Sequence, residues 1–347
     1  MTLLPTAPWR RYLVAAGAAC VVLWALSTLS HYRRHRVIPV SPHAIPSYPA
    51  LGAGNATLGF SAIFALSPFP SWRTTALHAA ANFTGLDIQI PAQSYISPEQ
   101  VDHFAAMGPD DRRHPNYGSA LAWLAHLDLI KHVVQSGLES VLILEDDVDW
   151  DLSVHEQMMG IAGAVRELTG APRSNHRQLF PYGQSWDVLW VGLCAESWTP
   201  DRPTVFVGDA TACPSEKYVG NGKGAVDIIP QGDRAVFRSV MPVCSFAYAL
   251  TRDGARKVLE DLSRGDDEAF DIAMMNGCRE RGLHCVSVLP EVFREYIPAP
   301  SIKTGSLIAA GGQDSGMEIE VDMGSTANIV ESARCHALWG KPCQPGD

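Results

Sequence analysis

The chain reads as an α/β protein in which a mostly parallel sheet is sandwiched by helices, preceded by one N-terminal transmembrane helix. Three observations carry that reading. Short apolar runs such as "VLIL" (141–144) and "WDVLWVG" (186–192) alternate with helical stretches along the chain, the arrangement that builds a parallel sheet covered on both faces. A charge-free run, "YLVAAGAACVVLWALSTLS", occupies 12–30; at about 1.5 Å per helical residue it nearly crosses a hydrocarbon core of about 30 Å. Finally, 46% hydrophobic and 18% charged residues over 347 positions suffice for a large buried core and exclude a disordered chain. The formal charge of −10 leaves no broad basic surface for a phosphate backbone, so no nucleic-acid partner is expected.

From the N-terminus, residues 1–11 read as a cytosolic tail and 12–30 as a signal anchor holding the protein to a membrane. A cleaved signal peptide, with small residues Thr28 and Ser30 near its end, is the alternative. Both send the remainder into the secretory pathway. Arg10 and Arg11 precede the run and Arg33, Arg34 and Arg36 follow it, so flanking charge does not decide orientation. Two sequons, at Asn55 and Asn82, and seven cysteines beyond the anchor favour a lumenal body. No CxxC pair suggests zinc; Cys278 with Cys285 and Cys335 with Cys343 are the closest pairs, and an odd count leaves at least one cysteine free or paired elsewhere. The expected location is a single-pass type II protein of the Golgi or endoplasmic reticulum membrane. Pro39, Pro42, Pro46 and Pro49 mark 31–57 as an extended stem. The folded body is expected over 58–308 and a Gly-rich, weakly patterned tail over 309–347.

Within the body, "GFSAIFAL" (59–66) is a strand closed by Ser67 and Pro68, and "WRTTALHAAANFTG" a helix ending at Gly85. "SALAWLAHLDLIKHVVQSG" is a helix stopped by Gly137. Trp123, Leu127, Ile130 and Val134 form one apolar stripe and Ala122, Leu129 and Val133 part of another, so it is buried on two sides. "SFAYAL" (245–250) is a strand leading into the helix "TRDGARKVLEDL", with Thr251 as N-cap.

Where "VLIL" leaves the core the sequence becomes "EDDVDWD". In open α/β sheets ligands bind beyond the carboxyl ends of strands. Carboxylates crowded there repel one another unless a cation sits between them, and oxygen donors suit magnesium, manganese or calcium. Glu145, Asp147, Asp149, Asp151 and Glu156 also imitate the spacing of an EF-hand loop, but Trp150 stands where that loop needs glycine and a strand precedes it. A solvated acidic turn is the plainest alternative. The remaining reading is a nucleotide-sugar site, in which an acid-x-acid pair holds a metal that neutralises charge on a departing diphosphate.

"AWLAHLDLIKHVVQSGLESVLILEDDVDWD", "PYGQSWDVLWVGLCAE", "PVCSFAYALTRDGARKVL" and "LHCVSVLPEVF" resemble, in order, successive blocks of glycosyltransferase family 25, the family of lipooligosaccharide and collagen galactosyltransferases, and especially its fungal branch. The resemblance spans about 58–305. It implies a GT-A fold, a UDP-sugar donor, often of galactose, a manganese (or magnesium) cofactor and a glycan or glycoprotein acceptor. It aligns Glu145 and Asp147 with the acid-x-acid pair, making Asp147 the first metal ligand, with Asp146 and Asp149 as candidates beside them.

Departures are equally specific. Of the family's Arg-x-Asp-Arg element "PSWRTTAL" keeps only Arg73, a candidate donor contact. His126 matches a family histidine but lies on an apolar stripe, as a core residue would; Leu193 and "REY" (294–296) replace other histidines. The resemblance places a catalytic base at Asp271, where a helix N-cap is the competing role. Lys303 is a candidate diphosphate contact, or a solvated loop lysine.

Overall fold

The computed structural model describes residues 52–171, 180–302 and 320–343. The predicted anchor, residues 31–51 of the predicted stem and Lys303 lie outside them. Among the described residues no helix is long and apolar enough to cross a membrane.

In chain order the elements are β1 Ala62–Leu66, α1 Trp72–Thr84, β2 Ile88–Gln89, α2 Pro98–Ala105, α3 Tyr117–Gln135, β3 Ser140–Glu145, β4 Val148–Trp150 and α4 Val154–Leu168. There follow β5 Val188–Gly192, β6 Thr204–Gly208, α5 Lys223–Val226, β7 Asp233–Arg238, β8 Ala247–Thr251, α6 Arg252–Asp261 and α7 Phe270–Glu280. The last are β9 Cys285–Leu289, β10 Phe293–Ile297, β11 Ser325–Thr326 and α8 Ala333–Trp339. The main sheet is eight-stranded, in the order β2-β1-β3-β8-β5-β9-β7-β6. Strands β2, β1, β3, β5, β9 and β6 run one way, and β8 and β7 are reversed. The sheet is thus mostly parallel, as expected. The two reversed strands were not legible, because side-chain alternation is the same in either direction.

That alternation builds two cores. Ile63, Ala65, Leu142 and Leu144 pack with Leu77 and Ala80 of α1 and Met158, Ile161 and Val165 of α4. The intervening Ala62, Phe64, Val141 and Ile143 pack with Trp123, Leu127 and Ile130 of α3, Val258 of α6 and Met274 of α7. Every second residue faces a different helical layer, so the strands carry continuous apolar runs. Trp123, fully buried, donates its indole N–H to Leu262 O at 2.9 Å.

Local signals decide the helix ends. Ser71 and Thr74 form a capping box at the start of α1, Gly85 closes it in the left-handed conformation at φ 73, and Thr251 accepts from Gly254 N at the start of α6. Gly137 likewise adopts φ 68 just after α3. The body begins earlier than residue 58: Gly52–Gly54 form a 3-10 turn with Ala53 buried.

The predicted tail is overturned more thoroughly. Residues 320–343 fold back, with α8 packed on α1 and β11 joining β10 and β4 in a small antiparallel sheet. Among the described residues three disulfides form, Cys194–Cys244, Cys278–Cys285 and Cys335–Cys343, and Cys213 is free and buried.

Asp149 ties this returning segment down. Its carboxylate, 0% exposed, accepts from Trp150 N at 2.8 Å, Arg334 N at 3.0 Å, Thr326 Oγ1 at 2.7 Å and the Ser332 hydroxyl. Asp149→Ala leaves those donors buried without an acceptor. The substitution is expected to cost about 2–4 kcal/mol in chemical denaturation; a loss under about 0.5 kcal/mol would refute this role.

Candidate active site

Strand β3 ends at the centre of the rim toward which β1 and β5 also run. Its neighbours are β1, which ends at Leu66 opposite Glu145, and β8, which starts beyond Ser245. Asp146 and Asp147 occupy the turn from β3 into β4, where the chain passes from the main sheet to the small one. Glu145 accepts from Ser245 Oγ at 2.7 Å. Asp146 accepts from the Ser67 hydroxyl in the loop after β1. Arg73, at 1% exposure, places Nε 3.9 Å from Asp146 Oδ1 and 3.8 Å from Asp147 Oδ2. The Asp147 carbonyl accepts from Tyr296 N at 2.8 Å, whereas its buried Oδ1 has no hydrogen-bond partner among the described residues.

The structure brings Asp271 to the same place. It lies in the first turn of α7, whose N-cap is Ala269, so the capping role does not hold. Its Oδ2 accepts from Cys244 N at 2.8 Å and its Oδ1 from Ile272 N at 2.9 Å. Its charge bears on Glu145.

Burial and mutual repulsion shift these groups together. Glu145 is pushed up to about 8 by burial, then by Asp147, with lesser effects from Asp271 and Asp146. Asp146 is pushed up to about 7 by burial and Asp147. Burial also raises Asp147, against the lowering effects of Arg73 and Arg334. Glu145 and Asp147 keep 25% and 24% of their side-chain surface, so water still reaches one edge of the cluster and moderates the shifts.

Other expectations are redirected. Asp149, a candidate metal ligand beside Glu145 and Asp147, is a correction: its two oxygens accept four hydrogen bonds, one from Trp150 N and three from the returning segment. Arg73 is walled in against the acids, not presented to solvent. His126 is a core residue, stacked on Phe270 at 4.5 Å with Nδ1 2.9 Å from Tyr248 Oη; burial pushes its imidazole down to about 3, so it stays neutral. The EF-hand imitation fails in space, because Trp150 is fully buried and Asp151 accepts from Ser153 N and Glu331 N.

Sequence reasoning missed the serine donors Ser67 and Ser245. It also missed Arg334, and it met Glu295 only as part of "REY". Glu295, half-buried on β10, is raised by burial, with a further contribution from Asp147. Pairing of β10 with β4 brings it to the acid turn, and nothing local in either strand announces that pairing.

Whether a divalent ion suits this place can be judged from the donor set. Among the described residues no group of three His, Cys, Asp or Glu side chains is disposed to hold a metal. Glu145 and Asp147 instead offer hard oxygens, one of them the unpartnered Asp147 Oδ1. That fits an open site whose remaining positions a ligand or water would fill. Compared with known proteins, the chain matches no family model and no curated protein.

The raised carboxylates have a measurable consequence. Their neutral forms are favoured in the fold, so this contribution to stability is full below about pH 4 and is lost as pH rises through about 7 and 8. In chelator the melting temperature is expected to fall between about pH 4 and 8 and to level off above that. Glu145→Gln should shrink that fall and manganous ion should restore the high-pH value, whereas a flat profile would contradict the crowding.

Proposed function

We propose that the protein is a metal-dependent glycosyltransferase that moves a hexose, galactose by the family resemblance, from a UDP-sugar to a hydroxyl of a glycan or glycoprotein acceptor. The observation that carries this reading is the meeting of Glu145, Asp146 and Asp147 at the rim of β3 with Asp271 from a separate helix. The mixed α/β architecture supports a GT-A-like assignment, and the order of the resembling sequence blocks supports family 25. Three disulfides support a lumenal setting in the Golgi or endoplasmic reticulum.

The chemistry follows from the residues. Two backbone N–H groups fix the Asp271 carboxylate, one on each oxygen. It is the base that takes the acceptor hydroxyl's proton as that oxygen attacks the anomeric carbon and the bond to the diphosphate breaks. Ser67, Ser245 and Arg73 hold the acids in place. Held by Glu145 and Asp147, manganese or magnesium would neutralise charge on the departing diphosphate.

Leu193 and "REY" (294–296), standing where the resembling family carries histidines, favour one second reading, a catalytically inactive relative that serves as a lumenal interaction protein. Activity separates the two. The purified full-length chain is expected to hydrolyse or transfer from a UDP-hexose with manganese present. Asp147→Asn and Asp271→Asn are each expected to lower kcat by about 10²-fold or more. Wild-type protein that neither turns over nor gains thermal stability with any UDP-sugar would sink the enzyme reading.

A further inference from the structure

A cation other than Arg73 reaches the rim from the strand that pairs with β4. Arg294 of β10 lies opposite Asp149 in that pairing, two residues before Tyr296, whose N–H meets the Asp147 carbonyl. Its Nη1 donates to Leu193 O at 3.0 Å, just beyond the carboxyl end of β5. Its guanidinium carbon lies 5.5 Å from the ring centroid of Phe246, whose carbonyl accepts from Glu145 N at 2.9 Å. Arg294 therefore shares the rim with the acids. Leu193 and Arg294, two positions at which the chain departs from the resembling family, meet here.

Its own partners leave this guanidinium incompletely bonded. The contact of Nη1 with Glu291 Oε1 is long for an ion pair, at 3.3 Å. That carboxylate, 0% exposed, already accepts from Asn328 Nδ2 and from the Tyr218 hydroxyl, each at 2.7 Å. Nε is buried with no hydrogen-bond partner, and among the described residues Nη1 alone donates. Unmade bonds of a buried donor cost stability, so their place at this rim calls for a ligand and not for packing alone. Nη2 lies beside the exposed Gly220, where an added Cβ would stand 3.5 Å away. No side chain at 220 covers it.

The acids narrow the kind of ligand. Glu145, Asp146 and Asp147 repel a diphosphate, and Arg73 already lies against two of them. Arg294 adds a permanent charge whose planar fork suits phosphoryl oxygens. We propose that Arg294 binds the diphosphate of the nucleotide-sugar donor, offering Nη2 to a phosphoryl oxygen through the gap that Gly220 leaves. The inference rests on the proposed transferase reading and adds to it a donor contact that the acid turn does not supply.

Inorganic pyrophosphate is a probe that needs no sugar transfer. Calorimetry of the full-length chain with magnesium present is expected to show pyrophosphate binding, which Arg294→Gln weakens by about tenfold or more. No binding by the wild type, or equal affinity in a folded Arg294→Gln variant, overturns the proposal.

A second pair of variants leaves the buried network untouched. Gly220, at φ 105, is exposed. Gly220→Asp sets a carboxylate beside Nη2, and Gly220→Asn sets a neutral amide of the same shape there under the same backbone strain. The aspartate variant is expected to bind pyrophosphate at least about tenfold more weakly than the asparagine variant. Matched affinities overturn the proposal. Pyrophosphate binding that depends on Arg294, in a chain that transfers no sugar, refutes only the proposed function. Hexose transfer by a chain whose pyrophosphate affinity Arg294 does not alter refutes only this inference.

Discussion

Like charges crowded at the end of a buried strand are the constraint around which this protein is arranged. Strand β3 is apolar on both faces because helices cover both. Its carboxyl end therefore delivers Glu145, Asp146 and Asp147 to a rim where water reaches only one side. Repulsion in such a place must be relieved by protonation, by hydrogen bonds or by cations. The surrounding elements supply the last two. Ser67 follows β1 and Ser245 precedes β8, the strands on either side of β3, and Arg73 comes from the helix after β1.

That arrangement also explains why the chain continues past β9. An eight-stranded sheet with helices on both faces could end there as a packed body. Instead β10, β11 and α8 build a second small sheet on β4, the strand that leaves the acid turn. Asp149 is its anchor and Trp150 its packed neighbour. The acid-rich stretch therefore divides by position: residues 145–147 face the rim, and 149 and 151 serve the returning chain.

Much of this was legible from local pattern. The apolar runs read at 59–66, 141–144 and 186–192, the stripes of the helix through Trp123 and Leu127, the cap at Thr251 and the stop at Gly85 each follow from rules acting within a few residues. The acid turn was legible for the same reason. What escaped was non-local: the direction of β7 and β8, the pairing of β10 with β4, and the return of 320–343, whose weak periodicity hides a segment held by two carboxylates far away in sequence, Asp149 and Asp151. Asp149 misled because spacing alone cannot tell an acid that faces a ligand from one that ties down backbone. Asp271 shows the converse, since its approach to Glu145 depends on the placement of α7 against the sheet and not on its neighbours in the chain.

The bond between Cys194 and Cys244 joins the chain just after β5 to the chain just before β8. Cys244 sits at φ 71, a left-handed conformation uncommon for a residue with a side chain, and from there its amide points at Asp271. Compartment chemistry thereby enters the geometry of a carboxylate. In a glutathione-rich cytosol the thiols would part, Cys244 could relax toward an ordinary backbone conformation, and Asp271 would lose the donor that aims it. The aim of the Asp271 carboxylate is thus tied to the bond between Cys194 and Cys244.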